Sequence, residues 1–335
     1  MQAGDGRSTA LTVTPSPVPA RATNLARVRV LVRSVTAIAS VALVVGIVLT
    51  WRLGGTGAWS ATLLHRLPWL FLFGTGSQGS RFLRWHLLVI RRAPMLLVRD
   101  SVRIYLSGFA LEMTPGRVGA FLKFSLLRQT TGVPEAETVG VLPVEAATEV
   151  LSFLLVAVAG AVVGGYRLPS IGWGVVIAVV VLLGVALIGP VRRHLAGRIR
   201  LTERFPVVQA FLAGLLSVGG PQPLLIALLC SLAARTCEVL LFGIAAAAVG
   251  LQLTPAGTTL AWGASGLAGG LSLLPGGVGV AEGAIVATVL ALGGRTAPAL
   301  AAAVVSRIMT IWLWVPFGLG CAVASTRRGR EDRTG

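Results

Sequence analysis

Charge is scarce in this sequence. Lys, Arg, Asp and Glu together make up 12% of its 335 residues, where a soluble globular domain carries about 25%. So few charged side chains cannot cover a water-facing surface. Meanwhile 55% of the residues are hydrophobic and the mean hydropathy is +0.83. An ordinary soluble domain is therefore excluded, and the chain reads as a polytopic membrane protein. Lysine is nearly missing: Lys123 is the only one among 29 basic residues. A P-loop needs a Gly-rich loop ending in Lys-Ser/Thr. Lys123 sits in FLKFS, which argues against ATP hydrolysis by this chain. Aspartate occurs only as Asp5, Asp100 and Asp332, so the DxD and DxxDG metal clusters of membrane transferases are absent. Cys230, Cys237 and Cys321 lie in apolar segments and read as small core residues rather than a metal or redox pair. His65, His86 and His194 are scattered without ligand spacing. Neither a cofactor nor a metal is expected.

Long apolar runs are what the sequence has in abundance. A span needs about 20 apolar residues. Candidates are 30–50, 138–164, 171–190, 222–250 and 297–324, with a weaker one at 58–80 that is interrupted by His65, Arg66 and the polar run GTGSQGS. Residues 1–26, rich in Ser, Thr, Pro and Ala, read as a disordered cytoplasmic arm. The stretch 30–50 reads as an uncleaved signal anchor. Two further apolar stretches, 100–130 and 256–294, are broken by PGRVG (115–119) and PGGVG (275–279).

The net charge of +17 would suggest nucleic acid in a soluble protein. In a membrane chain it orients the segments instead, and no nucleic-acid partner is expected. With a cytoplasmic N-terminus, the inner face receives Arg7, Arg21, Arg27, Arg29, Arg33, Arg81, Arg84, Arg91, Arg92, Arg99, Arg103, Arg192, Arg193, Arg198, Arg200, Arg204, Arg327, Arg328, Arg330 and Arg333. The outer face receives only Arg52, Arg167 and Arg295, so the tally is 20 against three. This balance requires each broken stretch to begin and end on the same side. Two crossings need about 40 residues and 100–130 has 31, so a re-entrant hairpin fits better. The second stretch is long enough for two short crossings, and both arrangements stay open there.

The broken stretches also resemble each other. Each has Pro-Gly-x-Val-Gly, an apolar helix, a Gly and an Ala-rich helix start, and the second copy lies 160 residues after the first. Three spans separate them, and an odd number inverts the second copy. Inverted repeats with broken helices near the midplane are a transporter architecture. The expected fold is all-α: about six full transmembrane helices plus two re-entrant hairpins as an inverted repeat. The boundaries are a single transmembrane domain over 27–326 (repeat one about 58–165, repeat two about 222–324) and a basic cytoplasmic tail over 327–335. Both termini are cytoplasmic in a plasma-membrane protein.

The breaks have a physical use. Pro removes a backbone donor and Gly permits positive φ, so a helix ends and restarts. Its new N-terminus exposes N–H groups and the positive end of its dipole, which suits an anion such as phosphate. Pro115, Gly116, Gly119, Pro275, Gly276, Gly277 and Gly279 are therefore candidate substrate-binding positions. Charges among the apolar residues are the other candidates, because an ionised group at the bilayer centre costs about 2.5–3.5 kcal/mol. They are Glu112, Glu145, Glu149, Glu238 and Glu282, with Arg117, Lys123, Arg235 and Arg307 as possible partners. Glu145 and Glu149 share a helix face, so a basic partner or a shared proton is expected. Structural alternatives stand beside these. Arg235–Glu238 reads as a local pair, Glu282 as a helix-start carboxylate, and Glu112 and Lys123 as snorkelling interface residues. Trp51, Trp59, Trp85 and Trp173 read as interfacial anchors.

These motifs resemble the flippase-like integral membrane family that includes the transmembrane domain of lysylphosphatidylglycerol synthase. The resemblance rests on EMTPGRVGAFLKFSLL, VLPVEAATEVLSFLL, and SLLPGGVGVAEGAIVATVLALGG with AAAVVSRI, and extends over roughly 35–320. It implies movement of a phospholipid or lipid-linked (polyprenyl-phosphate-type) intermediate across the bilayer, by a translocase rather than a chemical catalyst. Pro115, Gly116, Gly119, Pro275, Gly276, Gly277, Gly279, Glu282 and Arg307 match the family pattern. Ala120, Ala146 and Ala281 stand where the family often has charges, which leaves open an altered headgroup or a lost activity. The synthase's soluble aminoacyl-transfer domain has no counterpart in these 335 residues, so its reaction is not expected.

On this reading a headgroup phosphate meets the helix N-termini after the breaks. Arg117, Arg235 or Arg307 balances its charge, the glutamates hold those arginines or bind a positive headgroup, and Glu145 and Glu149 are proton-coupling candidates. The partner is an anionic membrane lipid or lipid-linked substrate. A homodimer and an envelope-biosynthesis partner remain open. So do an accessory subunit of a cell-envelope lipid or glycan enzyme and a lipid-modifying transferase, the latter disfavoured by the shortage of Asp.

Overall fold

The computed structural model describes Val48 and residues 61–112, 118–166, 220–272 and 274–331. The arm at 1–26, the span at 30–50 apart from Val48, the span at 171–190, the break residues Pro115, Gly116 and Arg117, and Trp51, Trp59 and Trp173 lie outside the described residues.

Every regular element among the described residues is helical: α1 (Ala61–Val89), α2 (Val98–Glu112), α3 (Val118–Thr131), α4 (Glu135–Thr138), α5 (Val141–Val163), α6 (Pro221–Ala248), α7 (Pro255–Leu271), α8 (Val280–Ala291), α9 (Thr296–Arg307) and α10 (Trp314–Glu331). A 3₁₀ turn at Pro275–Gly277 precedes α8, and a π turn at Ile308–Trp312 joins α9 to α10. Among the described residues, three stretches are long and apolar enough to cross a membrane: Glu135–Val163, Pro221–Ala248 and Thr296–Ala324, of 29, 28 and 29 residues. At 1.5 Å per residue each exceeds the ~30 Å hydrocarbon core. The chain is an all-helical membrane protein.

Local chemistry sets the element ends. Gly220, at φ 91°, precedes Pro221 at the first turn of α6, where a missing N–H costs nothing. Thr254 caps α7, its Oγ1 accepting from the Gly257 N–H at 3.0 Å. In PGGVG, Gly276, Gly277 and Gly279 take φ of 60°, 64° and 84°, a region that side-chain-bearing residues rarely adopt.

Packing is reciprocal between the two halves. The long helices α1 and α6 lie along each other, and α2 packs on α3 as α7 packs on α8. Across the halves, α2 packs on α10 and α7 packs on α5. Both cross-contacts close on glycine. A Cβ on Gly318 would lie 2.2 Å from the Leu106 carbonyl oxygen, and one on Gly160 would lie 2.4 Å from the Leu260 nitrogen. Two apolar cores form: one includes Trp85, Tyr105, Phe124, Leu127 and Val144, joined by Leu224 and Ala227 of α6, the other Phe242, Trp262, Ile285 and Ala302. Leu70, Leu241 and Val305 seal the seam between α1, α6 and α9.

Three expectations are corrected here. The weak span at 58–80 does not stop at GTGSQGS, since α1 runs through that polar stretch to Val89. Its Ser77 and Gln78 are buried against other helices. Arg81 and Arg84 consequently leave the cytoplasmic tally, because both point into the protein. Trp85 is no interfacial anchor: it is fully buried in the first core.

Candidate functional site

Four helices deliver charge to one place. α1 brings Arg81 and Arg84, α3 brings Lys123, α5 brings Glu145 and Glu149, and α6 brings Arg235 and Glu238. Arg235 lies about midway along α6, so the network sits deep within an apolar span.

Glu238 anchors it. Its Oε1 accepts from Ser77 Oγ at 2.6 Å and from Arg81 Nη2 at 2.8 Å. Its Oε2 accepts from Trp262 Nε1 at 3.0 Å and meets Arg235 Nη1 at 2.7 Å. The last contact is the i,i+3 pair legible in the sequence. It is an ion contact without hydrogen-bond geometry: the buried Arg235 Nε, Nη1 and Nη2 make no hydrogen bond, and neither do Arg81 Nε and Arg84 Nε. The Arg235 guanidinium instead lies 4.0 Å over the Phe153 ring, and Phe153 in turn lies against Gly266.

Glu149 collects three guanidiniums. Its Oε1 lies 3.0 Å from Arg81 Nη1 and 3.6 Å from Arg235 Nη2, and its Oε2 lies 3.3 Å from Arg84 Nη2. Arg84 also donates through Nη1 to Ser231 Oγ at 2.8 Å. Glu145 lies 3.8 Å from Arg84 Nη2 and 3.9 Å from Lys123 Nζ. The pair on α5 thus has the basic partners that its spacing called for. Lys123 does not snorkel: it is buried, with its ammonium 5.2 Å from the centre of the Tyr105 ring.

Exposure is graded across the network. Side chains of Arg235 and Glu238 are 0% and 1% exposed, whereas Arg81 and Glu149 reach 19% and 30%. The closed end is at α6, and the open end is at Arg81 and Glu149.

Glu282 and Arg307 form a separate unit at the second break. Glu282 Oε2 accepts from the Gly279 N–H at 2.7 Å, and its Oε1 accepts from Arg307 Nε at 2.7 Å. Arg307 Nη2 donates to the Gly276 carbonyl, also at 2.7 Å. The carboxylate caps the helix that restarts after the break, and the guanidinium holds the turn before it. The Gly279 N–H expected to meet phosphate is therefore taken by Glu282. Arg307→Ala should cost about 1–3 kcal/mol through the orphaned partners, read by thermal unfolding in micelles. The swapped pair, Glu282→Arg with Arg307→Glu, should not recover it. The Gly279 N–H needs an acceptor and the Gly276 carbonyl a donor, so full recovery by the swap would contradict this role.

The candidate residues thus fall into two groups. Glu145, Glu149 and Arg235 join the network, while Gly276, Gly279, Glu282 and Arg307, with Pro275 and Gly277 in the same turn, form the unit at the second break. Gly119 is buried in the first turn of α3, and Pro115, Gly116 and Arg117 are not among the described residues. Sequence reasoning missed Arg81, Arg84, Ser77 and Trp262. The signal was the i,i+4 and i,i+3 spacing of Ser77, Arg81 and Arg84, one polar stripe on α1. Among the described residues no group of three His, Cys, Asp or Glu is placed to hold a metal ion.

No curated protein matches the chain, and no solved structure does. The family described as the lysylphosphatidylglycerol synthase TM region matches residues 11–318. That match covers both broken stretches and both charged groups, and the chain belongs to the lysylphosphatidylglycerol synthase TM-region family.

Proposed function

We propose that this chain is a translocase that moves the polar headgroup of a phospholipid or lipid-linked intermediate across the cytoplasmic membrane, without an ATPase of its own. The observation that carries this reading is the charged network set deep among apolar helices, closed at Arg235 and open at Arg81 and Glu149. A headgroup alone in hydrocarbon faces a large desolvation barrier. A network whose charges were desolvated when the protein folded offers that headgroup fixed partners and lowers the barrier, while the tail stays in lipid.

The architecture supports alternating access. Helices α2, α3 and α8 have 15, 14 and 12 residues, or about 22, 21 and 18 Å, short of the ~30 Å core. Each broken pair then enters and returns on its own side. The order of one long helix, one broken pair and a further long helix recurs in the two halves. The reciprocal packing of α2 on α10 and α7 on α5 is what a two-fold relation between inverted halves would give. With Arg81 and Arg84 removed, the arginine tally is 20 minus two, or 18, against three. It still favours cytoplasmic termini flanking one transmembrane domain over 27–326.

Reconstitution tests the reading. Liposomes containing the protein should move fluorescent anionic phospholipid or polyprenyl phosphate between leaflets faster than empty ones. No acceleration for any of these lipids, with folded protein, would overturn it.

A further inference from the structure

We infer that Arg81, Arg84 and Arg235 form an oxyanion site for the phosphate of the headgroup, and that Glu149 is its resident counter-ion, displaced when the phosphate arrives. The lipid part of this inference rests on the translocase reading; the anion chemistry does not.

Two observations carry it. Three guanidiniums from two helices converge within 3.0–3.6 Å of the carboxylate of Glu149, which comes from a third helix. Guanidinium forks suit the several oxygens of a phosphate. Independently, the fully buried Arg235 makes no hydrogen bond through any of its three nitrogens, although Nη2 faces Glu149. Arg81 Nε and Arg84 Nε are likewise unsatisfied. The trio therefore holds donor capacity that one carboxylate at this geometry does not use.

The carboxylates of the network are not equivalent. Glu238 is sealed in and fixed by Ser77 and Trp262 as well as by the arginines. Glu149 is the most exposed member, at the open end. This resolves a problem that any carrier with a buried cationic site faces. Buried charge left unpaired is strongly destabilising, yet the site must stand empty once per cycle. If Glu149 returns as the phosphate leaves, the arginines always face an anion. The exchange makes and breaks ion contacts only, and no covalent bond changes.

The test is a titration of the detergent-solubilised full chain with short-chain phosphatidylglycerol and, separately, with inorganic phosphate, followed by tryptophan fluorescence. Glu149→Gln removes the competitor and should tighten binding of the short-chain lipid about tenfold. Adding Arg81→Gln should reverse that gain. Glu149→Asp, which keeps the charge but pulls it back from the arginines, should tighten binding by about threefold, and it decides the matter if Glu149→Gln does not fold. Inorganic phosphate competing with the lipid in Glu149→Gln identifies the phosphate as the recognised group; phosphate binding alone, with no lipid binding, makes the site one for the free ion. Unchanged or weaker binding of both ligands in the folded variants would overturn the inference. A gain in binding without any lipid movement in liposomes would leave the oxyanion site standing and overturn the translocase reading instead.

Discussion

Glu238→Leu is expected to cost about 3–5 kcal/mol of stability and to abolish lipid movement. The carboxylate is 1% exposed, accepts from Ser77, Arg81 and Trp262, and pairs with Arg235. Leucine fills similar space but leaves these partners facing an apolar group, two of them charged. Arg235 suffers most, since it is fully buried and its shortest ion contact is the 2.7 Å approach to Glu238. Unfolding in micelles followed by circular dichroism reads the loss. Glu238→Gln keeps an oxygen for Ser77 or Trp262 and should fall between wild type and Glu238→Leu. Adding Arg235→Met to Glu238→Leu should recover part of the stability, because replacing both members of a buried pair by apolar groups is far less costly than removing one. Additive losses in the double variant would show that the two residues do not depend on each other.

Gly160→Leu and Gly263→Leu should each prevent α5 and α7 from meeting. A Cβ on Gly160 would lie 2.4 Å from the Leu260 nitrogen, and one on Gly263 would lie 2.5 Å from the Ala157 nitrogen. The obstructing atoms are backbone, so no rotamer change relieves the clash. Overpacking costs about 1–3 kcal/mol even where side chains move, and these sites should exceed that. Small residues let membrane helices approach closely, and here the approach also places Phe153 under Arg235. Both variants should therefore lose folded yield and lipid movement together. Gly270, with nothing within 4 Å of a Cβ, is the control, and Gly270→Ala should behave as wild type. Tolerance of leucine at Gly160 would mean that α5 and α7 are further apart than described.

The membrane class, most of the long apolar helices and the second break were legible in the sequence because each is a local signal. Hydropathy over twenty residues marks α6, and Pro-Gly pairs mark the turn before α8. The Arg235–Glu238 pair was legible through its i,i+3 spacing. The site as a network was not, because it is assembled by α1, α3, α5 and α6 from positions more than 150 residues apart. The polar run GTGSQGS misled for a physical reason. Polar residues end a span when they face lipid, but they continue it when they face a polar interior, and hydropathy averages over both faces of a helix. Counting Arg81 and Arg84 as cytoplasmic followed from that error. Lys123 misled in the same way: it reads as a snorkelling residue until Glu145 is placed beside it. Glu282 shows the opposite case, since a carboxylate three residues beyond Gly279 is a local helix-start pattern, and the structure adds Arg307 to it.

Transbilayer movement of a fluorescent anionic phospholipid, compared in liposomes bearing wild type, Arg81→Gln or Gly270→Ala, tests most directly whether headgroups cross at the charged network. Arg81 is the most exposed of the three arginines, and glutamine at this position keeps a donor for Glu238. Wild type and Gly270→Ala should accelerate movement equally, and folded Arg81→Gln should be slower by about tenfold or more. Equal rates for Arg81→Gln and wild type would contradict a headgroup path through this network.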